Sequence, residues 1–424
     1  MMALLLVGIF LFCIAAGVPI AFSLGLSALA YLLVAGVPVT VIPQTMFAGL
    51  DSFVMLAIPA FILAGNLMNA GGITNRIIDF ANALVGHIRG GLALTNVASS
   101  LGFGGISGTA LSDTASIGSV MIPAMKKQGY GSGFSAAVTS ISSTVGPMLP
   151  PSLPMIIIGT LASISIGDLF VAGAIPGVVL GLGFLLVTYM IAVKRQYPKG
   201  RRHSVSEVGK SFFGAFWALL MVVIILWGIL GGYFTPTEAA VVVVFYAFIV
   251  GKFVYKELDL KEVPGIIMDT LRTTASILIL VALANTFGWI LVAEGVPVLV
   301  ADGILSITDN PVLITLLMML LLLIVGMFME TIAAIVILFP VLLPIADSIG
   351  MDPIHFSIVM VLALMIGLST PPVGVCLFVA SQFANVKIMT TVKELVPYFV
   401  IAIIVLIIVA FVPSLSLFLP GLFE

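Results

Sequence analysis

The chain has 424 residues, 61% of them hydrophobic and 8% charged, with mean hydropathy +1.32 and a net charge of −2. Soluble globular domains carry about 25% charged residues, so this composition excludes a soluble core. It has no basic stripe and no GxxxxGK[ST] phosphate loop, which argues against nucleic-acid binding and against ATP as a driving force on this chain.

The first charge is Asp51, and the uncharged stretch before it lacks the basic start and short apolar core of a secretory signal. It is expected to stay in the membrane. A span needs about 20 apolar residues to cross roughly 30 Å of hydrocarbon. In chain order, the candidates are 3–17 and 20–36 (two short helices, or one long tilted one), 52–70, 132–166, 170–193, 212–232, 237–254, 273–293, 353–386 and 397–418. Two further stretches, 91–125 and 312–346, are polar or broken in the middle, and amphipathic connectors at 37–51 and 256–272 precede spans at equivalent places. Cys13 and Cys376 lack a CxxC partner and read as small buried hydrophobes, while His87, His203 and His355 are too scattered for a metal cluster.

The charged segment 194–211 divides the chain into halves at 1–193 and 212–424. Sliding the chain by 221 residues pairs Pro43 with Pro264, Gly105 with Gly326, Pro123 with Pro344 and Gly129 with Gly350. The same shift pairs Gly146 with Gly367, Pro150-Pro151 with Pro371-Pro372, and Pro176 with Pro397. Chance would supply about two such matches in that window, so a duplication is indicated. With Lys194–Lys210 placed inside and one crossing per long run, all 16 basic residues fall on the inner side. The outer segments carry Asp302, Asp309, Asp347 and Asp352. Lys126 corresponds to Asp347 and Arg89 to Asn310, so the halves are expected to have inverted topology, as in many secondary transporters. Each arm of 91–125 and 312–346 is expected to hold about 15 residues, about 22 Å of helix, which favours re-entrant hairpins.

Three features carry chemistry. The first tip, Gly104 to Asp113, combines an unwound glycine-rich backbone with Ser107, Gly108, Thr109 and Asp113, which are hard oxygen ligands suited to a small hard cation. An unpaired Asp113 at mid-membrane costs ~2.5–3.5 kcal/mol, so a counter-cation or water cavity is expected; the plain alternative is a close helix contact with Asp113 capping a helix start. The second feature is the pair of breaks: Gly146, Pro147, Pro150, Pro151 and Ser152, and Gly367, Thr370, Pro371, Pro372, Val373 and Gly374. Proline removes a donor and clashes with the preceding turn, so each run unwinds a span and frees carbonyls. Matched breaks in two halves point to a transporter's binding site. The third is the second tip, Gly326 to Thr331, where Glu330 and Thr331 are either ligands or groups satisfied by a neighbouring helix. Asp51, Asn66, Asn82, Asn96, Glu238 and Asn285 read individually as helix glue or caps.

At these residues the chain resembles the large membrane (M) subunit of the TRAP (tripartite ATP-independent periplasmic) transporters, including the sialic acid type. The resemblance spans essentially the whole length, on GGISGTALSDTASIG at 104–118, GPMLPPS at 146–152, GMFMET at 326–331 and GLSTPPVGV at 367–375. It implies an all-α polytopic protein of the bacterial inner membrane, an elevator whose two hairpins and two broken helices carry substrate with sodium through a fixed scaffold. It also implies a separate four-helix small membrane subunit and a periplasmic binding protein that delivers a carboxylate such as sialic acid or a dicarboxylate. Ser107, Thr109 and Asp113 match the first hairpin's functional positions, and Gly326, Gly367, Thr370 and Val373 match a second, largely backbone sodium site. A stand-alone sodium symporter of the same architecture is the alternative, separated by whether uptake requires a soluble partner. A membrane enzyme lacks the His, Cys or metal cluster it needs, and a channel generally needs symmetric oligomers.

Overall fold

A computed structural model describes residues 2–423; the side chain of Asp302 lies outside the described residues. Among the described residues the chain is helical with a single isolated bridge, Arg89 with Lys199. Among the described residues, nine helical segments are long and apolar enough to cross a membrane, so this is a multi-pass membrane protein.

The first half opens with α1 (Met2–Ala15) and α2 (Ile20–Ala35), separate helices that pack on each other. Gly17 at φ 82° and Pro19 before α2 break the run, which settles the choice between one helix and two. α3 (Val41–Leu50) and α4 (Ala57–Ala70) flank an extended Ser52, and α5 (Ile73–Val85) follows. α6 (Gly91–Ser107) and α7 (Ala110–Lys127) form a helical hairpin. α8 (Ser132–Ser142), a 3₁₀ turn over Ser143–Met148 and α9 (Leu153–Ala162) make the first broken helix, and α10 (Ile166–Lys194) closes the half.

After the charged segment come α11 (Val205–Leu230), α12 (Pro236–Ile249), α13 (Val263–Ala293) and α14 (Val296–Ile307). The start of α11 lies seven residues before the span expected at 212, because Ser204 and Glu207 form a reciprocal cap that begins the helix inside the charged segment. The connector 256–272 and the span 273–293 are not separate either: α13 runs unbroken for 31 residues, since Pro264 sits in its first turn, where no donor is lost. α15 (Pro311–Phe328) and α16 (Thr331–Ser348) form the second hairpin, α17 (Pro353–Gly367) and α18 (Val375–Ala384) the second broken helix. α19 (Ile388–Phe411), α20 (Ser414–Leu417) and α21 (Pro420–Phe423) end the chain. At the 221-residue shift α7 falls on α16 residue for residue, and α6, α9 and α10 start within one residue of α15, α18 and α19.

Both tips are sharper than the composition suggested. Two residues, Gly108-Thr109 and Met329-Glu330, turn each hairpin, so the arms have 17 or 18 residues. At 1.5 Å per residue that is about 26–27 Å, longer than the 22 Å expected.

The helices form two layers. α1 to α4 pack with α12 and α13 in one; the two hairpins, the two broken helices, α10 and α19 make up the other. The polar residues read as glue hold the first layer: Asn66 Nδ2 donates to Thr270 Oγ1 at 2.9 Å, Asn285 Nδ2 to the Thr45 carbonyl at 2.7 Å, and Glu238 caps α12 through Thr235. Inside the second layer the halves interleave, α7 against α18 and α16 against α9. Lys126 Nζ donates to the Ala384 carbonyl at 2.7 Å, satisfying the C-terminal end of α18.

Candidate functional site

The first tip is a backbone-on-backbone contact. Gly108, at φ 64°, ends α6 in the left-handed region, and Thr109 is extended and caps α7 by accepting from Ser112 N at 3.3 Å. A Cβ on Gly104 would overlap Gly146 Cα; one on Gly105 would lie 3.0 Å from the Pro150 carbonyl, and one on Gly108 3.1 Å from that of Pro151. Only glycine lets the hairpin settle into the break at this depth. Gly146, Pro147, Pro150, Pro151 and Ser152 are all buried there, and Ser152 caps α9 through Met155 N.

Asp113 is fully buried, and its surroundings differ from those expected. The hydroxyls of Ser107 and Thr109 are used by the tip itself, Ser107 donating to the Thr109 carbonyl at 3.3 Å. The Asp113 carboxylate instead takes one 3.4 Å hydrogen bond from Ser100 Oγ, and its Oδ2 is buried with no partner, facing Gly146. Thr109, not Asp113, is the cap of α7, which removes the capping alternative. Behind the carboxylate, Ser100 Oγ lies 3.1 Å from Ser142 Oγ, and Asn96 Nδ2 donates to Thr139 Oγ1 at 2.6 Å. Sequence reading missed Ser100, Thr139 and Ser142 and took Asn96 singly. Their signal was present: Asn96 and Ser100 are one helical turn apart, and Thr139 and Ser142 share a face of α8.

At the second tip, Gly326 packs on Gly367, and a Cβ on Gly367 would lie 2.6 Å from Gly326 Cα. Gly374, at φ 49°, sits where a Cβ would meet the carbonyls of Thr370 and Leu368 at 2.8 and 3.3 Å, so two acceptors converge on it. Thr370 Oγ1 donates back to the Ile366 carbonyl at 2.7 Å, which orients the hydroxyl and leaves its oxygen lone pairs and its own carbonyl as ligand groups. This break is more open than the first: Pro372 is exposed, Val373 is 45% exposed, and Pro371 is half-buried. Glu330 caps its own helix, accepting from Ile332 N at 2.9 Å and Ala333 N at 3.4 Å, while Thr331 Oγ1 is buried without a partner.

Both tips and both breaks open onto one cavity of about 320 Å³, walled on the far side by α13 through Thr273 and Ser276. The starts of α7, α9, α16 and α18 all border it, at Thr109, Pro154, Thr331 and Val375. Helix N-termini carry about half a positive charge each, which favours an anion, although the caps at Thr109, Ser152 and Glu330 already take some of their N–H groups and the Glu330 carboxylate is itself part of the wall. No Lys or Arg lines it.

The family described as "Tripartite ATP-independent periplasmic transporter, DctM component" matches residues 7–415. The chain belongs to this DctM family. It is 42% identical over 409 residues to the sialic acid TRAP transporter large permease protein SiaM of Vibrio cholerae, covering 96% of each protein. It is 40% identical over 400 residues to the C4-dicarboxylate large permease DctM of Pseudomonas aeruginosa (94% of each), and 36% over 416 residues to the 2,3-diketo-L-gulonate large permease YiaN of Escherichia coli (98% of each). A DctM-family chain of this kind is a transport subunit, not an enzyme. Among solved structures, the YdaH transporter of Alcanivorax borkumensis superposes with TM-score 0.60 at 15% identity, over 89% of this chain and 88% of that one, a likeness of fold alone.

Proposed function

We propose that this chain is the transport subunit of a sodium-coupled, binding-protein-dependent importer of a carboxylate, of the sialic acid or C4-dicarboxylate class, working as an elevator in the bacterial inner membrane. The observation that carries the reading is the single cavity onto which both tips and both breaks converge, at the boundary between the two layers. The layer of α1 to α4, α12 and α13 is the scaffold; the hairpins and broken helices move with the substrate. The N-termini of α7, α9 and α18 favour the substrate carboxylate without a cationic side chain, while that of α16 is already taken by Glu330.

Sodium is cargo in this scheme. The orphaned Asp113 Oδ2 beside Gly146, with Ser100 next to it, is an incomplete set of hard oxygen donors that a small cation completes. The carbonyls converging at Gly374, with Gly326, Gly367 and Val373 around them, supply a second site of backbone oxygens. The two halves are inverted repeats, supported by the matched element boundaries and by reversed charge at aligned positions. Each tip meets its break near the middle of a spanning segment, such as Ser132–Ala162, which supports re-entrant hairpins despite their longer arms. A small four-helix membrane subunit and a periplasmic binding protein complete the assembly.

Proteoliposomes carrying the chain with its small subunit and binding protein are expected to take up labelled carboxylate under an inward sodium gradient without nucleotide. Equal uptake with potassium on both sides refutes sodium coupling, and full uptake without the binding protein favours the stand-alone symporter.

A further inference from the structure

The polar network of the transport layer is lopsided. At the 221-residue shift, Asn96, Ser100, Asp113, Thr114, Ser140, Ser142 and Ser143 correspond to Leu317, Leu321, Ala334, Ile335, Val361, Ala363 and Leu364. The first half carries hydroxyls and a carboxylate where the second carries hydrocarbon. One hydroxyl in the second break joins the network: Ser369, fully buried between Gly367 and Thr370, whose counterpart is Met148. Ser369 Oγ donates to the Ser140 carbonyl at 2.8 Å, and Ser140 Oγ donates to Ser369 Oγ at 3.1 Å. The same Ser140 carbonyl accepts from Ser143 Oγ at 2.8 Å, and Ser143 Oγ accepts from Thr114 Oγ1 at 2.6 Å. Thr114 follows Asp113 on α7. A continuous run of buried hydrogen bonds therefore leads from the residue beside Asp113 to the loop that forms the second set of carbonyls.

We infer that Ser140 and Ser369 are positioning residues that register the second break against the first, so that a cation held at Asp113 preorganises the backbone site and sodium binds cooperatively. The inference rests on the sodium reading above. Physically, the second break is the more open of the two and has no carboxylate of its own, so its carbonyls converge only if the loop is pinned. Backbone bonds from Cys376 N to the Leu368 carbonyl at 3.1 Å and from Gly374 N to the Met327 carbonyl at 3.2 Å hold the loop to its own half, and the two Ser369–Ser140 bonds are what tie it to the first break. Buried hydrogen bonds in a low-dielectric interior hold geometry strongly, and a partner lost there leaves an unpaired group.

The test uses the purified full-length chain in lipid nanodiscs, titrated with sodium chloride against choline chloride at constant ionic strength, with thermal unfolding as readout. The wild type is expected to be stabilised along a sigmoidal sodium curve with a Hill coefficient near two. Ser369→Ala loses both bonds and is expected to lower the coefficient toward one and raise the sodium midpoint by about fivefold or more. Ser140→Ala keeps the bond to its own carbonyl, so a smaller shift is expected, and the double variant should match Ser369→Ala rather than exceed it. A merely structural role would lower the unfolding temperature without changing the shape of the sodium curve. A Ser369→Ala curve of unchanged steepness and midpoint overturns the inference while leaving the sodium reading intact, as does a wild-type coefficient of one. No wild-type response to sodium overturns both.

Discussion

Replacing Asp113 by alanine should have opposite effects on stability and on transport. The side chain is fully buried, with one long hydrogen bond from Ser100 and an oxygen that has no partner. A lone carboxylate at mid-membrane costs ~2.5–3.5 kcal/mol, and the 3.4 Å bond returns at most about 1 kcal/mol of it. Without sodium, Asp113→Ala is therefore expected to be as stable as the wild type or more so, by about 1–2 kcal/mol after the small cavity it leaves is counted. With sodium the order reverses. A ligand at one hundred times its dissociation constant stabilises by about 2.7 kcal/mol, and the variant forgoes this at the first site. For a chain of 424 residues, an unfolding entropy of about 2.1 cal/mol/K per residue turns each kilocalorie into a shift of about 1 °C. The wild type should thus gain about 3 °C on saturation with sodium, and Asp113→Ala little or nothing from that site. Differential scanning fluorimetry with sodium against choline reads both quantities, and uptake in proteoliposomes reads the functional loss. A variant that is markedly less stable without sodium, yet keeps its full sodium shift and uptake, refutes the assignment and makes Asp113 a structural residue.

Two further expectations follow from the packing and the charge pattern. Gly104→Ala places a methyl group into Gly146, and with backbone on both sides the tip must withdraw; a loss of about 1–3 kcal/mol is expected, with weakened sodium stabilisation, whereas Gly288→Ala, where an added Cβ has no neighbour within 4 Å, should leave both nearly unchanged. In a background with Cys13 and Cys376 replaced by alanine, Lys126→Cys should react with an impermeant thiol reagent from the cytoplasm and Asp347→Cys from the periplasm; labelling of both from one side rules out inverted halves.

What was legible in the sequence was whatever acts through the local backbone. Gly and Pro constrain φ and ψ wherever they occur, so the two breaks, the two tips and the 221-residue spacing of matched Gly and Pro stood in the residue string before any helix was placed. Apolar run lengths likewise set the spans, because hydrocarbon thickness is a one-dimensional rule. Where local rules gave out, the reading drifted. The tips are two residues long because Thr109 and Glu330 begin the next helix at once, and α13 swallows a connector because nothing in 263–293 interrupts its hydrogen bonds. α5 and α14, which follow the same span positions in each half, carry no long apolar run and were not foreseen.

Tertiary structure alone decided what surrounds Asp113. A hydroxyl has no sequence signature as a ligand, since Ser107 and Ser100 are chemically identical and differ only in which way their helix turns them. The cavity's four helix N-termini belong to segments up to about 270 residues apart, and their convergence depends on interleaving α7 with α18 and α16 with α9. Ser369 meets Ser140 for the same reason: their separation of 229 residues is not the repeat period, so no internal alignment pairs them, and only the packed halves bring the two hydroxyls within 3.1 Å.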